Sequence, residues 1–313
     1  MKLLSYSTAW GGGSIGALAG EDTVVDLPLL SARFRPGEPF PSTMIGLIVQ
    51  WPRLRPVLEE MLAEAPKLRE AQEGAGCFLP EGEVRYLPPI PYPPKNVNCQ
   101  GVNYHEHGQE GVGAKTLARD SVYVDHPVLF SKPHTTLLPH QGGIIHHRVT
   151  EALDYEGELT VVIGRGGINI EKEDVYDHVF GYTNGNDTPA RDRQRMHKGA
   201  KGKSMDTHCP MGPYIVPKEY FGDPMNVMLR TWVNGELRQE SSTSNMIHDI
   251  PTLVHVLSLG TTLEVGDLLM TGTPSGVAYA RENPEFLKPG DVVEIEVEGL
   301  GRLKNTVVAP KWS

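Results

Sequence analysis

Cysteine is scarce in this chain: Cys77, Cys99 and Cys209 are its only three in 313 residues, far apart and without a Cys-x-x-Cys pair. That spacing excludes a disulfide framework and a zinc knuckle, and it fits a reducing compartment, so a cytoplasmic location is expected. Positive charge is also in short supply. Lys and Arg number 29 against 39 Asp and Glu, a formal net charge of -10, and such a chain lacks the cationic surface that phosphate-backbone recognition draws on. No nucleic-acid partner is expected. A small anionic substrate remains compatible, because one local cation reverses the sign of the field inside a cleft. Long hydrophobic runs are missing too: nowhere do 18 apolar residues follow one another, and Leu3-Leu4-Ser5-Tyr6-Ser7 is no signal-peptide core. Neither a membrane span nor a membrane partner is expected.

What the chain does have is punctuation. Its 34 Gly and 26 Pro cut it into short segments, while a hydrophobic content of 39% suffices for a substantial core. Residues 2–7, 15–18 and 23–27 read as short strands. Gly11-Gly12-Gly13 between them is a plain turn, having neither the P-loop lysine nor a following helix. Ser42 suits an N-cap, and Leu58, Met61, Leu62, Ala65 and Leu68 recur at helical spacing within a helix from about Arg55 to Ala71. Five prolines in Leu87-Pro88-Pro89-Ile90-Pro91-Tyr92-Pro93-Pro94 make a stiff connector. It separates a small amino-terminal α+β unit, residues 1–95, from a second unit, residues 96–313. Beyond it, strands outnumber helices. Asn234-Gly235 signals a hairpin, residues 249–257 a capped helix, and residues 292–298 pair with 302–308. The class is α+β, with a β-rich carboxy-terminal unit.

Chemistry concentrates in Leu153-Asp154-Tyr155-Glu156-Gly157-Glu158-Leu159-Thr160-Val161-Val162-Ile163-Gly164. Read as a strand, it sends Glu156 and Glu158 to one face, about 7 Å apart at the backbone, with Asp154 of the same parity. A solvated strand edge would explain the acids. The apolar run 159–163 instead suggests burial on both faces, and buried acids need a cation, a proton or a partner. Asp187, at the end of a strand, is the natural third ligand, although helix N-capping over residues 188–194 is a competing role. Three carboxylates without cysteine make a hard oxygen site suited to Mg²⁺ or Mn²⁺. His107 and Glu110 lie one helical turn apart, the spacing at which a carboxylate orients an imidazole as a base. They stand in a segment from Asn103 to about Asp125 whose loose composition suits a lid. Lys203, in what reads as a flexible basic loop, could neutralise a carboxylate or an enolate oxygen.

Asn103-Tyr104-x-x-His107-x-x-Glu110, Phe130-x-Lys132-Pro133, Asp154-Tyr155-Glu156-x-Glu158-Leu159, Gly181-Tyr182-x-x-x-Asn186-Asp187-x-x-Ala190-Arg191-Asp192-x-Gln194, Lys203-Ser204-x-Asp206, Pro210-x-Gly212-Pro213, Asn234-Gly235 and Thr271-Gly272-Thr273-Pro274-x-Gly276-Val277 occur in an order that resembles the fumarylacetoacetate hydrolase family, closely over residues 97–308. The resemblance implies the family's mixed-sheet roll or barrel and a homodimer. It also implies a divalent cation, usually Mg²⁺ with Mn²⁺ or Ca²⁺ as substitutes, on Glu156, Glu158 and Asp187. His107, Glu110 and Lys203 take catalytic roles by the same resemblance, and Arg191, Gln194 and Thr273 contact substrate. The chain departs from the pattern at two places. Asn103 stands where some members carry a fourth acidic ligand, and Met196-His197-Lys198 where many carry a Trp.

The implied activity is hydrolysis of a carbon-carbon bond in an acylpyruvate or related 2,4-diketo acid, passing through an enolate held at the cation. Decarboxylation or isomerisation of a 2-oxo or 2-hydroxydienoic diacid, as in aromatic catabolism, uses the same enolate. A non-catalytic metal-binding relative would lack the His, Glu or Lys, and all three are present.

Overall fold

The structure is a computed structural model that describes residues 1–7, 12–20, 22–70, 76–110 and 125–310, side chains 198–200 excepted. Most of the expected lid, residues 111–124, and part of the triple-glycine turn lie outside the described residues. Glycines and prolines leave strands that are short. In chain order they are β1 (Leu3–Ser7), β2 (Gly13–Ala19), β3 (Thr23–Asp26), β4 (Phe78–Pro80), β5 (Arg85–Tyr86), β6 (Val97–Gln100), β7 (Leu129–Lys132), β8 (Leu137–Leu138), β9 (Gly143–Ile145), β10 (Gly157–Ile163), β11 (Val179–Asn186), β12 (Cys209–Pro217), β13 (Met228–Val233), β14 (Glu236–Ser242), β15 (Leu268–Met270), β16 (Val292–Val297) and β17 (Arg302–Val308). The helices are α1 (Leu27–Phe34), α2 (Met44–Val49), α3 (Trp51–Glu70), α4 (His105–Gly108), α5 (Val175–His178), α6 (Arg191–Gly202) and α7 (Ile250–Ser258).

Two mixed sheets result, in the order β4-β3-β2-β1-β12-β11-β10-β15-β6-β7 and β14-β13-β16-β17-β9. Neither order returns to its first strand, so among the described residues the α+β mixed-sheet architecture is open and no barrel closes. β1 pairs antiparallel with β12, Leu3 opposite Ile215, and the Trp51 ring packs edge-on against Phe180 at 5.1 Å. The strands before the proline connector therefore continue the same sheet as those after it, over one shared apolar core.

Local rules account for most boundaries. Asn234 and Gly235 take positive φ, +53° and +81°, and join β13 to β14 in the expected hairpin. Asp249 caps α7 by accepting from Thr252 N–H. At α2 the cap is Thr43 rather than Ser42, its hydroxyl accepting from Gly46 N–H at 3.1 Å. The apolar stripe of α3 buries Leu58, Met61 and Ala65, with Leu62 and Leu68 partly covered.

β10 is buried throughout. Val162 joins the core shared with the amino-terminal strands, while Leu159, Val161 and Ile163 enter a second core on the other face. A strand covered on both sides accounts for the continuous apolar run. Its antiparallel register with β11 sets Gly157 opposite Asn186 and Glu158 opposite Gly185, and Asp187 N–H donates to Glu156 C=O at 3.0 Å. That register brings the three acids to one end of the sheet. On the far side of β11, Gly181 sits so close to β12 that a Cβ there would meet Val216 O at 2.3 Å. Gly181→Ala should destabilise the fold by about 1–3 kcal/mol, as overpacking against backbone does, read as a lower urea midpoint at unchanged m-value.

Candidate active site

One oxygen from each of Glu156, Glu158 and Asp187 lies within 4.8 Å of the others, and all three side chains are buried. The positive partners are unevenly shared. Lys203 bonds Glu156 and, at 2.6 Å, Asp187; Lys132, itself fully buried, bonds Asp187; Arg191 Nη2 lies 2.7 Å from Glu156. Burial alone would raise Asp187, but Lys132 and Lys203 hold it down at about 2. Glu158 has no ion pair among the described residues and accepts from Gly272 N–H at 2.7 Å. Burial, with Asp187 and Glu156 beside it, pushes its carboxyl well above the ordinary range. This donor set fits a hard divalent cation: three convergent carboxylates, one of them on a side chain that no lysine or arginine pairs.

Asp187 thus does not cap a helix; its side chain is committed to Lys132 and Lys203. Asp154 departs from the parity expectation. It precedes β10, outside the regular pleat, and is turned away from the other two acids. Its carboxylate accepts from Tyr155, Ala278 and Tyr279 N–H at 2.8, 2.9 and 3.1 Å and from Arg191 Nε at 2.9 Å.

The imidazole and its partner come from the end of α4. His107 Nδ1 is 2.9 Å from Glu110 Oε2, and Glu110 Oε1 accepts from Gly276 N–H at 2.5 Å. A carboxylate can only accept, so Nδ1 carries the proton in this pair, and in the neutral ring Nε2 is the nitrogen that accepts. His107, the three acids, Arg191, Gln194, Lys203 and Thr273 all line one cavity of about 590 Å³, with Val102, Val128 and Phe130 as an apolar wall. Within it, Arg191 Nη1 reaches Gln194 Oε1 at 3.4 Å. The Thr273 hydroxyl donates to Gly157 O at 2.9 Å and accepts from Gln239 Nε2 at 2.8 Å. All nine residues expected at the site are therefore brought to one place.

The family model described as fumarylacetoacetate (FAA) hydrolase C-terminal matches residues 96–308. The chain belongs to this family. It is 40% identical over 301 residues to the oxaloacetate tautomerase YisK of Bacillus subtilis (strain 168), covering 94% of this chain and 95% of that one. Among solved structures, a fumarylacetoacetate hydrolase from psychrophilic Exiguobacterium antarcticum superimposes with a TM-score of 0.77 at 33% identity, covering 99% and 100% of the two chains. The maleylpyruvate hydrolase from Sphingobium sp. SYK-6, in complex with manganese(II) ion and pyruvate, does so with 0.75 at 28%, again covering 99% and 100%. The protein is thus an enzyme of the fumarylacetoacetate hydrolase superfamily, whose members here include hydrolases and a tautomerase. No helix among the described residues is long and apolar enough to cross a membrane.

Two family positions gain a physical account. Asn103, where some members of the fumarylacetoacetate hydrolase family carry an acid, is turned away from the cluster. Its amide donates to His248 O and Thr271 O at 3.0 and 2.7 Å and accepts from His248 N–H at 2.9 Å, which uses both ends of the group. The stretch expected as a flexible basic loop is instead helical through Gly202, and α6 folds back on its own start. Ala190 N–H donates to Gly202 O at 2.8 Å, and a Cβ at Gly202 would lie 2.5 Å from Gln194 Cα. Gly202→Ala must therefore push Lys203 and Gln194 apart. A displacement of about 1 Å can cost on the order of 10²-fold in rate, so kcat/KM should fall by that order while the protein stays folded by circular dichroism.

Proposed function

We propose that the protein interconverts the keto and enol forms of a short 2-oxo diacid, oxaloacetate first, in a divalent-metal-dependent reaction. The observation that carries this reading is that an oriented imidazole and a buried three-carboxylate cluster line the same cavity. The near full-length likeness to an oxaloacetate tautomerase favours that substrate. When bound to Glu156, Glu158 and Asp187, a divalent cation, Mg²⁺ in this proposal, would supply Lewis-acid polarisation of the 2-oxo group. The remaining steps belong to the side chains. His107 Nε2, with Nδ1–H held by Glu110, takes a proton from the carbon beside the carbonyl and returns it to oxygen for the enol or to carbon for the ketone. Burial would lower the Lys203 ammonium, but Asp187 and Glu156 outweigh it and raise it. It stays charged and stabilises the developing enolate. We further propose a cytoplasmic homodimer.

A second reading is hydrolysis of an acylpyruvate, and the size of the cavity favours it. A volume of 590 Å³ exceeds what a four-carbon diacid fills and suits a longer chain. There His107 would take its proton from water, which attacks the distal carbonyl. One experiment separates the two. The Mg²⁺-loaded protein is given enol-oxaloacetate, followed by loss of enol absorbance, and then a panel of acylpyruvates, followed by NMR of the products. Accelerated loss of the enol without cleavage supports the first reading, and pyruvate released from an acylpyruvate supports the second. If neither exceeds a buffer containing the metal alone, both readings fail.

A further inference from the structure

A second cavity, of about 690 Å³, opens beside α6 and away from the acids, lined among others by Arg148, Arg193, Lys201, His147, His197 and Asp206. Three fixed cations and two imidazoles face one carboxylate there, in a chain whose formal net charge is -10. The cations are little used within the fold. Among the described residues neither Arg148 nor Lys201 takes part in an ion pair, and Arg193 reaches Asp192 only at 4.0 Å. Asp192 is occupied elsewhere, accepting from the Thr150 hydroxyl at 2.6 Å, Arg193 N–H at 2.9 Å and Glu151 N–H at 3.2 Å. Arg193 Nε is buried without a hydrogen-bond partner, and burying such a donor is costly unless something accepts from it.

We propose that this cavity binds a small dianion, a phosphate or dicarboxylate group, and that the bound anion stiffens the segment that carries the catalytic lysine. Arginine forks match the paired oxygens of either group. The geometry supplies the coupling. Arg193 and His197 lie one turn apart on the outgoing arm of α6, and Lys201 is on the arm that returns to Gln194. An anion bridging them ties the two arms together, and Arg191, Gln194 and Lys203 are carried by the same stretch. The site is separate from the catalytic cavity, so the inference does not depend on which reaction that cavity performs.

The test is calorimetric titration of the Mg²⁺-loaded protein at low ionic strength with inorganic phosphate and, separately, with succinate. It is run on the wild type and on the double variant Arg148→Gln/Arg193→Gln, neither residue belonging to the catalytic machinery. Saturable binding of at least one anion, weakened tenfold or more in the double variant and unaffected by saturating oxalate, supports the proposal; the arm that binds identifies the ligand class. Amide exchange over residues 191–203 should slow with the anion in the wild type and not in the variant. Absence of saturable binding, equal binding by the variant, or displacement by oxalate overturns it.

Discussion

Glu158→Ala is expected to lose both cation binding and turnover. The cluster holds four buried acids, Asp154, Glu156, Glu158 and Asp187, against three buried or nearly buried cations, Lys132, Arg191 and Lys203. Removing Glu158 balances the two at three each, takes away the one ligand that has no ion pair of its own, and leaves a site with no surplus negative charge to attract a divalent ion. Loss of Lewis-acid stabilisation worth several kcal/mol corresponds to a fall on the order of 10³-fold. The measurements are Mg²⁺ titration by calorimetry and kcat/KM on the substrate that the panel identifies. Removing the carboxylate relieves its repulsion with Asp187 and Glu156 but strips the buried Gly272 N–H of its acceptor, so the variant's affinity is compared only after circular dichroism shows that it is folded. Wild-type Mg²⁺ affinity in the variant would remove Glu158 from the ligand set.

His107→Ala separates the two halves of the site. The imidazole belongs to a different element from the acids and is bonded to Glu110 rather than to any of them; cation affinity should therefore stay within about twofold, since no ligand is touched. Turnover should drop by roughly 10²–10⁴-fold, the range that a positioned general base contributes. Glu110→Gln should keep part of the rate, because the amide oxygen still accepts from Nδ1–H and so holds the ring's orientation. Full activity in His107→Ala would sink its role as base under either reading of the reaction.

How much of this was legible from residues alone depends on how local the cause is. Glu156 and Glu158 announce themselves by parity, and Asp187 by its place at a strand end. The Asn234-Gly235 hairpin follows from turn chemistry, and the buried β10 from an apolar run too continuous for a half-exposed strand. His107 and Glu110 meet because one helical turn spans their spacing. Asp154 defeats parity because its carboxylate is claimed by the backbone N–H groups of Tyr155, Ala278 and Tyr279, partners that no pattern along the strand announces. Lys132 was visible in a motif without a role, since a lysine in a four-residue strand looks solvent-facing until Asp187, just past the end of β11, is placed against it. The fold-back of α6 brings Gly202 against Gln194 within one short stretch, while the pairing of β1 with β12 is non-local, and no window of neighbouring residues encodes it. Gly202 was the available hint for the first, a glycine within a polar helical stretch.

The anchoring of Glu110 has a consequence for how such an enzyme can change its substrate. Its oxygen is held by the peptide N–H of Gly276, where φ is +103° and a Cβ would meet Arg238 O at 2.0 Å. A main-chain donor has no side chain to mutate, and this position tolerates no other residue, so the orientation of the base is insulated from sequence drift. Val102, Val128 and Phe130, on the apolar wall of the same cavity, carry no such tether. Selection can reshape that wall, and with it the acid that fits, while the proton-transfer pair stays in register.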